Sequence, residues 1–212
     1  MLEDLIGQTK SSKVLQECVN IYKENFNKKF PNYFNENYTK MISLVSVTHK
    51  NEIKSLGMSC SDDLLTDNFG KWFGALIFPT TPISLQDDTD VARTVGMWST
   101  GATWNSTNAG GVGSKIEVGN GITPVARSDF IIESLLQLLT SGAGGYNSAL
   151  GQVDIPATGT STFTDTITET ALYGVWYDGA VRNYLLSHDI LSPAVPVSAA
   201  ETINVDYKLL MS

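Results

Sequence analysis

The chain has 212 residues and a mass of 23.0 kDa, which suits one domain with an appendage, and 42% of its residues are hydrophobic, enough to form a core. Residues 1–54 carry eight Lys against six acidic residues, whereas residues 55–212 carry a net charge of −10, and this acidic body argues against nucleic acid as a direct partner. The acidic start of the chain argues against a signal peptide, and the absence of an apolar run near ~20 residues argues against a membrane partner, so we expect synthesis in a cytoplasm.

The clearest helical pattern covers residues 12–30 and ends before Pro31. Its apolar residues recur at spacings of three and four, which places them on one stripe of a helix. Because this stripe carries aromatic side chains, we expect it to dock on the body of the protein or on a neighbouring subunit. The stripe consists of Leu15, Cys18, Val19, Tyr22 and Phe26.

The middle of the chain predicts strands around a second helix. Residues 41–48 alternate loosely and indicate a strand. Ser61, followed by two acidic residues, resembles an N-cap, and the broad apolar face up to Ile77 predicts a core-facing helix. Residues 91–98 indicate a further strand, and the stretch 99–114, rich in Gly, Ser, Thr and Asn, predicts a long loop.

The next stretch is short of clear periodicity. Residues 116–118 predict a short strand that Gly119-Asn120-Gly121 stops. Residues 130–139 are apolar, and their length permits either a short helix or a bent strand. Residues 141–149 predict a glycine-rich loop.

The last third of the chain, residues 161–211, predicts a run of antiparallel strands. Asp178-Gly179 separates two strand-like segments, and this pair is a strong hairpin signal because a type I′ turn needs positive φ at both central residues. In residues 202–211 apolar and polar residues alternate, with Ile203, Val205 and Tyr207 on one face. We therefore expect the chain to end as a β-meander with one buried face.

Catalytic patterns are weak throughout. Ser187-His188-Asp189 contains the residue types of a hydrolase triad, but adjacent side chains of a strand point to opposite faces, which argues against a triad. Gly119-Asn120-Gly121 lacks the third glycine of a dinucleotide loop and is interpreted as a turn. With two histidines and the two isolated cysteines Cys18 and Cys60, the sequence predicts no catalytic, metal or cofactor site, and hence no enzyme.

Two binding alternatives remain open at this stage. Asp87, Asp88 and Asp90 provide carboxylates for a hard cation, although their spacing differs from that of a calcium loop and a solvated acidic loop is the simpler interpretation. Aromatic residues also provide faces for stacking on sugar rings, although packing in the core or between subunits is the simpler interpretation. These residues are Trp98, Trp104, Trp176, Tyr173, Tyr177 and Tyr184.

Five short elements in a fixed order carry a resemblance to a known group of proteins. They are Asn68-Phe69-Gly70-Lys71-Trp72; Ile116-Glu117-Val118-Gly119-Asn120-Gly121-Ile122-Thr123-Pro124 with Ser128-Asp129; Ile167-Thr168-Glu169-Thr170-Ala171-Leu172-Tyr173; Leu185-Leu186-Ser187-His188-Asp189-Ile190-Leu191-Ser192-Pro193 with Val195; and Glu201-Thr202-Ile203-Asn204-Val205-Asp206-Tyr207. Over about residues 65–211 the chain resembles tailed-phage-type virion structural proteins, the small β-sandwich proteins of head decorations, necks, tails and fibre bases. The resemblance implies a virion component with no catalytic residues.

Together these features predict a mainly β protein, an antiparallel, jelly-roll-like β-sandwich with an N-terminal helix and one core helix. We expect an N-terminal helical arm at residues 1–40 and a β-sandwich domain at residues 41–212. The expected function is non-enzymatic assembly in a virion, with copies of itself and with capsid or tail proteins as partners. Tyr22, Phe26 and Trp104 are the candidate interface residues. The alternative is a host-surface or glycan-binding module of a viral fibre.

Overall fold

The computed structural model of the protein describes residues 40–50, 52–59, 65–77, 83–95, 113–142, 144–147, 152–177 and 180–210. Over these residues the fold is mainly β, as predicted. Its elements are β1 (Lys40–His49), β2 (Glu52–Met58), α1 (Asp67–Ile77), β3 (Ile83–Gln86), β4 (Ala92–Val95), β5 (Gly113–Gly119), β6 (Leu135–Ser141), β7 (Gly145–Asn147), β8 (Gln152–Thr160), β9 (Asp165–Tyr177), β10 (Val181–Val197) and β11 (Thr202–Leu210).

One curled antiparallel sheet forms the body, with the strand order β10-β9-β5-β6-β8-β11-β1-β2, and β3 pairs with β4 in a separate hairpin. The two ends of this order meet, because Ser59 after β2 bridges to Leu191 of β10 and Ser55 Oγ donates to the Pro196 carbonyl at 3.0 Å. Further along, the Thr66 amide donates to the carbonyl of Leu186 at 3.0 Å. The sheet therefore folds around its core like a sandwich, and the edge of β10 is covered rather than left open for aggregation.

The core follows from the alternation of apolar residues along paired strands. Val45 of β1 lies opposite Val205 of β11, and Val47 lies opposite Ile203, and all four side chains are fully buried or nearly so. Each such burial contributes about 1.5–3 kcal/mol, and the cross-strand contacts fix the register. The alternation predicted for β11 is confirmed, because Tyr207 is buried on the same face.

The predicted terminal meander is wrong for its last strand. β9 and β10 form the expected hairpin, but β11 pairs with β1 and β8 instead of β10. The turn after β10 is tied to the turn after β8, since the amide of Ala200 donates to the Ser161 carbonyl at 2.9 Å and the Ser161 amide donates to the Glu201 carbonyl at 2.7 Å. Alternation identifies a strand but says nothing about which strand lies beside it.

The core helix is present, but the predicted N-cap Ser61 is wrong. α1 starts at Asp67, and the hydroxyl of Thr66 accepts the amide hydrogen of Phe69 at 3.4 Å, in the manner of an N-cap. The preceding residue, Leu65, pairs with Ser187 of β10, which holds the chain extended up to that point. Phe69 is buried in the main core as expected, whereas Phe73 is half exposed.

The predicted N-terminal helix of residues 12–30 lies outside the described residues. The ambiguous segment 130–139 resolves into the end of a loop followed by β6, so the strand alternative is the right one. The loop 120–134 connects β5 to β6 and folds back over the outer face of the sheet. There Ile132 packs with Ala171, Tyr173 and Leu185 in a small second core.

Candidate functional site

Three titratable side chains meet under the loop 120–134, on the outer face of the sheet. The register of β9 and β10 places His188 opposite Ala171 and Ile190 opposite Glu169, so His188 and Glu169 share this outer face. Asp129 reaches the same point from the loop. We call Glu169, His188 and Asp129 the acid–histidine clamp.

His188 lies between two carboxylates. Its Nδ1 is 2.8 Å from Asp129 Oδ2, and its Nε2 is 2.8 Å from Glu169 Oε2. Both ring nitrogens are donors only in the imidazolium form, so this geometry favours a charged histidine. Burial alone would lower the pKa of His188, but the hydrogen bonds to Glu169 and Asp129 and the charges of these carboxylates outweigh it, and the pKa lies above its ordinary value.

Glu169 is fully buried, and both of its carboxylate oxygens are occupied. Oε1 accepts the amide hydrogens of Gly121 and Ser134, each at 2.8 Å, while Oε2 accepts the amide of Glu133 at 3.1 Å together with His188. Burial would raise the pKa of Glu169, but the hydrogen bonds from His188 and these three backbone amides hold it below its ordinary value. A buried carboxylate with four donors has no free lone pair for substrate.

The loop is held by carboxylates at two further points. Glu133 Oε2 accepts the amide hydrogens of Ile122 and Thr123, both at 2.8 Å. Asp129 Oδ2 accepts the amide of Ala126 at 2.9 Å in addition to its contact with His188. These side chains satisfy loop amides that no strand pairs with, and they fix the loop in one shape.

The site also explains why position 121 is occupied by glycine. A Cβ on Gly121 would lie 2.5 Å from both Glu169 Oε1 and Glu133 Oε2. Contacts that short do not occur in proteins, so any side chain here would displace the two carboxylates from the loop amides. The strand β5 ends at Gly119, as the sequence predicts, and the role of Gly121 in the loop that follows is close approach to carboxylates.

A second polar group lies inside the curled sheet, behind the clamp. Tyr207 donates its hydroxyl hydrogen to Thr170 Oγ1 at 2.9 Å, and Thr170 in turn lies 3.2 Å from Ser43 Oγ. Asp189 points into the same interior, opposite to His188, because it is paired with Thr170 across the strands. Burial raises the pKa of Asp189 to about 7, against the opposing effect of the Ser43 hydroxyl.

The triad residue types of Ser187-His188-Asp189 are separated as predicted. Ser187 and Asp189 face the interior, whereas His188 faces outward to other partners. The Ser187 hydroxyl lies 3.4 Å from Asp189 Oδ2, a long contact for a hydrogen bond. No histidine stands between a nucleophile and an acid at this place.

The acidic turn is solvated at Asp90, as the sequence suggests, but not at Asp87. Asp87 is fully buried and accepts hydrogen bonds from Thr89, from the Val91 amide at 3.0 Å and from Arg93 Nε at 2.9 Å. Burial would raise the pKa of Asp87, but the hydrogen bonds from Thr89, Arg93 and Val91 lower it to about 2. The carboxylate is thus engaged by a guanidinium, and no cluster of three metal-ligating side chains occurs among the described residues.

The structure tests the candidate residues unequally. The candidate interface residues Tyr22, Phe26 and Trp104 lie outside the described ranges. Of the aromatic residues considered for sugar stacking, Tyr173 and Tyr184 are buried in the two small cores, which removes them from any binding face. Within the part of the chain that the structure describes, no helix has the length and apolar character needed to cross a membrane.

The clamp itself was missed by residue-level reasoning, because Asp129, Glu169 and His188 are far apart in sequence. A signal was nevertheless present. The elements that carry the resemblance contain Gly121, Asp129, Glu169 and His188, and the structure brings these four residues together.

Comparisons of the chain with protein-family models, with curated protein sequences and with solved structures give no match. The resemblance to virion structural proteins therefore stays a prediction from sequence.

Proposed function

We propose that the protein is a non-enzymatic structural component of a virion, which assembles with copies of itself and with capsid or tail proteins. The observation that carries this proposal is an exposed apolar surface on a part of the molecule that is held rigid. Half of the large apolar side chains that are strongly exposed among the described residues fall between residues 122 and 138, directly beside the clamp. Exposed apolar surface of this kind marks interaction sites in stable proteins.

The chemistry of the clamp supports a structural role. Glu169 is fully buried and its oxygens are occupied by backbone amides and His188, and His188 itself is buried with both nitrogens engaged. A general acid or base needs access to substrate and a proton that it can exchange with it. The hydrogen bonds of the clamp instead hold the loop 120–134 in one conformation.

The composition of the chain supports the same proposal. Only 17% of the residues are charged, against roughly 25% in an average soluble protein. A low proportion of charged residues is consistent with a protein whose surface is packed against neighbouring subunits. The five ordered sequence elements point to the virion as the place of that assembly.

The test is the mass of the purified full-length protein in solution, measured by analytical ultracentrifugation over a wide range of concentrations. We expect discrete oligomers that grow with concentration, and closed rings or lattices in negative-stain electron micrographs. A monomer at every concentration would contradict self-assembly. The same runs with a chelator test the acidic turn, and we expect no change because Arg93 already neutralises Asp87.

A further inference from the structure

Four exposed apolar side chains lie close together in sequence on the loop 120–134 and on β6. We call them the β6 surface: Ile122, Ile131, Leu135 and Leu138, exposed by 76%, 47%, 54% and 54%. Within the described residues such side chains are scattered elsewhere as single residues, of which Val181 at 53% is an example. Single exposed apolar residues need no explanation, but a concentration of four does.

A β-bulge places the two leucines on the same side of β6. Leu138 lies opposite Glu117 and Leu135 lies opposite Gly119, with a shift of register between the two pairs. Without that extra residue, positions 135 and 138 would point to opposite faces. Glu117 and Gly119 in turn lie opposite Ala171 and Glu169, so both leucines face outward beside the clamp.

The two isoleucines belong to the fixed part of the loop. The Ile122 amide is bound by Glu133, which is two residues from both Ile131 and Leu135. Next to Ile131, the amide of Ile132 donates to the hydroxyl of Tyr173 at 2.9 Å. The β6 surface is therefore preorganised, and a partner that binds it would lose little conformational entropy in ordering it.

The chain itself contains a segment that fits this surface. Residues 12–30 carry the apolar stripe of a predicted amphipathic helix, and they have four Lys against two Glu, a net charge of +2. Residues 55–212, which include the β6 surface, have a net charge of −10, although Glu117 and Asp129 beside this surface are paired with Lys115 and His188. The apolar stripe of the segment matches the apolar β6 surface, and the charges of the two parts are opposite in sign. Such complementarity is expected when a helix binds in a groove.

The geometry favours an arm from another copy. β1 begins at Lys40, level with Gln152 of β8, whereas Leu138 lies near the level of Thr160, three strands away in the order β1-β11-β8-β6. At ~3.3 Å per residue and ~4.8 Å per strand the separation is about 30 Å or more along the sheet. The link from residue 30 to Lys40 spans about 33–36 Å when fully extended, so the same chain could reach Leu138 only with residues 31–39 almost fully extended.

We propose that the β6 surface binds the segment 12–30 of a neighbouring copy of this chain. The inference rests on the proposed self-assembly and names the contact through which it takes place. It also explains why the predicted stripe carries Tyr22 and Phe26, since aromatic side chains supply much of the energy of protein interfaces.

Cys18 lies on the predicted apolar stripe, so a disulfide can report the contact. The test protein is the full chain with Cys60→Ser and Leu138→Cys, and the matched control carries Cys60→Ser and Val181→Cys, which is equally exposed. A mild oxidant is added, and products are separated without reductant. We expect at least about tenfold more Cys18-linked product for Leu138→Cys than for the control, because contact raises the effective concentration of the thiols.

Mixing of isotope-labelled and unlabelled chains, followed by mass spectrometry of the linked peptides, shows whether the linkage joins two copies. Linkage between copies supports the inference, and linkage within one chain overturns the assignment to a neighbouring copy. If oligomers form but the Leu138→Cys variant gives no more linked product than the control, the docking site is overturned and the proposed function still stands. If the protein is monomeric and no linked product forms, both the docking site and the proposed function are overturned. The failure of the docking site alone can therefore be distinguished from the failure of the proposed function.

Discussion

Replacing Glu169 by Gln tests whether the folded state depends on an intact clamp. The substitution keeps the size of the side chain and removes its charge. One Gln oxygen still accepts the amides of Gly121 and Ser134, but the Gln amino group then faces two donors, the amide of Glu133 and His188 Nε2. Breaking a buried ion pair in this way costs about 3–5 kcal/mol, because the remaining charge is left partly unpaired.

Urea unfolding followed by circular dichroism at pH 6 measures this cost. With a slope of about 2–3 kcal/mol per M for a protein of this size, the midpoint should fall by about 1–2 M in Glu169→Gln. The matched control is Glu133→Gln, whose carboxylate binds the same loop at an exposed position, and we expect a much smaller change. Equal, small shifts in both variants would refute the reasoning, because they would mean that Glu169 is no more important than a surface carboxylate.

Three further predictions follow from the same structure. The clamp contributes stability fully between about pH 4.5 and 6.5, and this contribution falls at higher pH through the raised pKa of His188 and at lower pH through the lowered pKa of Glu169. The check is the difference between the unfolding midpoints of the wild type and of His188→Gln across pH, because the raised pKa of Asp189 lowers the stability of both proteins between about pH 4 and 7. We expect this difference to fall above about pH 6.5. Asp189→Asn should raise the free energy of unfolding at pH 8 by up to about 4 kcal/mol and change it little at pH 4, because a pKa raised from 3.8 to about 7 makes ionisation of Asp189 in the folded protein costly. Equal effects at both pH values in urea unfolding would contradict this. Gly57→Ala should cost about 1–3 kcal/mol in thermal or urea unfolding, since its Cβ would lie 2.4 Å from Val195 Cγ2 where β2 meets β10, whereas Gly70→Ala, with no atom within 4 Å, should be neutral or stabilising.

Sequence patterns predicted the strands best where one face is buried and the other is wet. The alternation Ile203, Val205, Tyr207 defined β11, and the apolar run around Phe69 defined α1. Sequence patterns could not identify strand neighbours, because β11 pairs with β8, which is not adjacent to it in sequence, and with β1, which lies near the other end of the described chain. The start of α1 was also beyond them, since Thr66 caps it only where tertiary pairing with β10 ends.

The candidate site was harder to predict than the fold, for a related reason. Glu169 sits in a strand where a charged residue normally faces water, and only the folded loop buries it. Asp87 was misread in the same way, because a run of acidic residues indicates a wet turn unless the hairpin of β3 and β4 is known to bring Arg93 against it. Periodicity reports which face a residue occupies, but it does not report what later covers that face.

Buried charges seldom add net stability, so their presence under the loop 120–134 calls for a reason other than stability. Several backbone amides in this loop form no hydrogen bond to a strand and donate instead to the carboxylates of Glu169, Glu133 and Asp129. Apolar packing could hold the loop down as well, but only by turning side chains such as Ile122 inward. Carboxylates bind the backbone and leave those side chains outside, where they remain free to contact another molecule. The clamp and the β6 surface are thus two consequences of one design, in which charge inside the loop keeps apolar groups on its exterior.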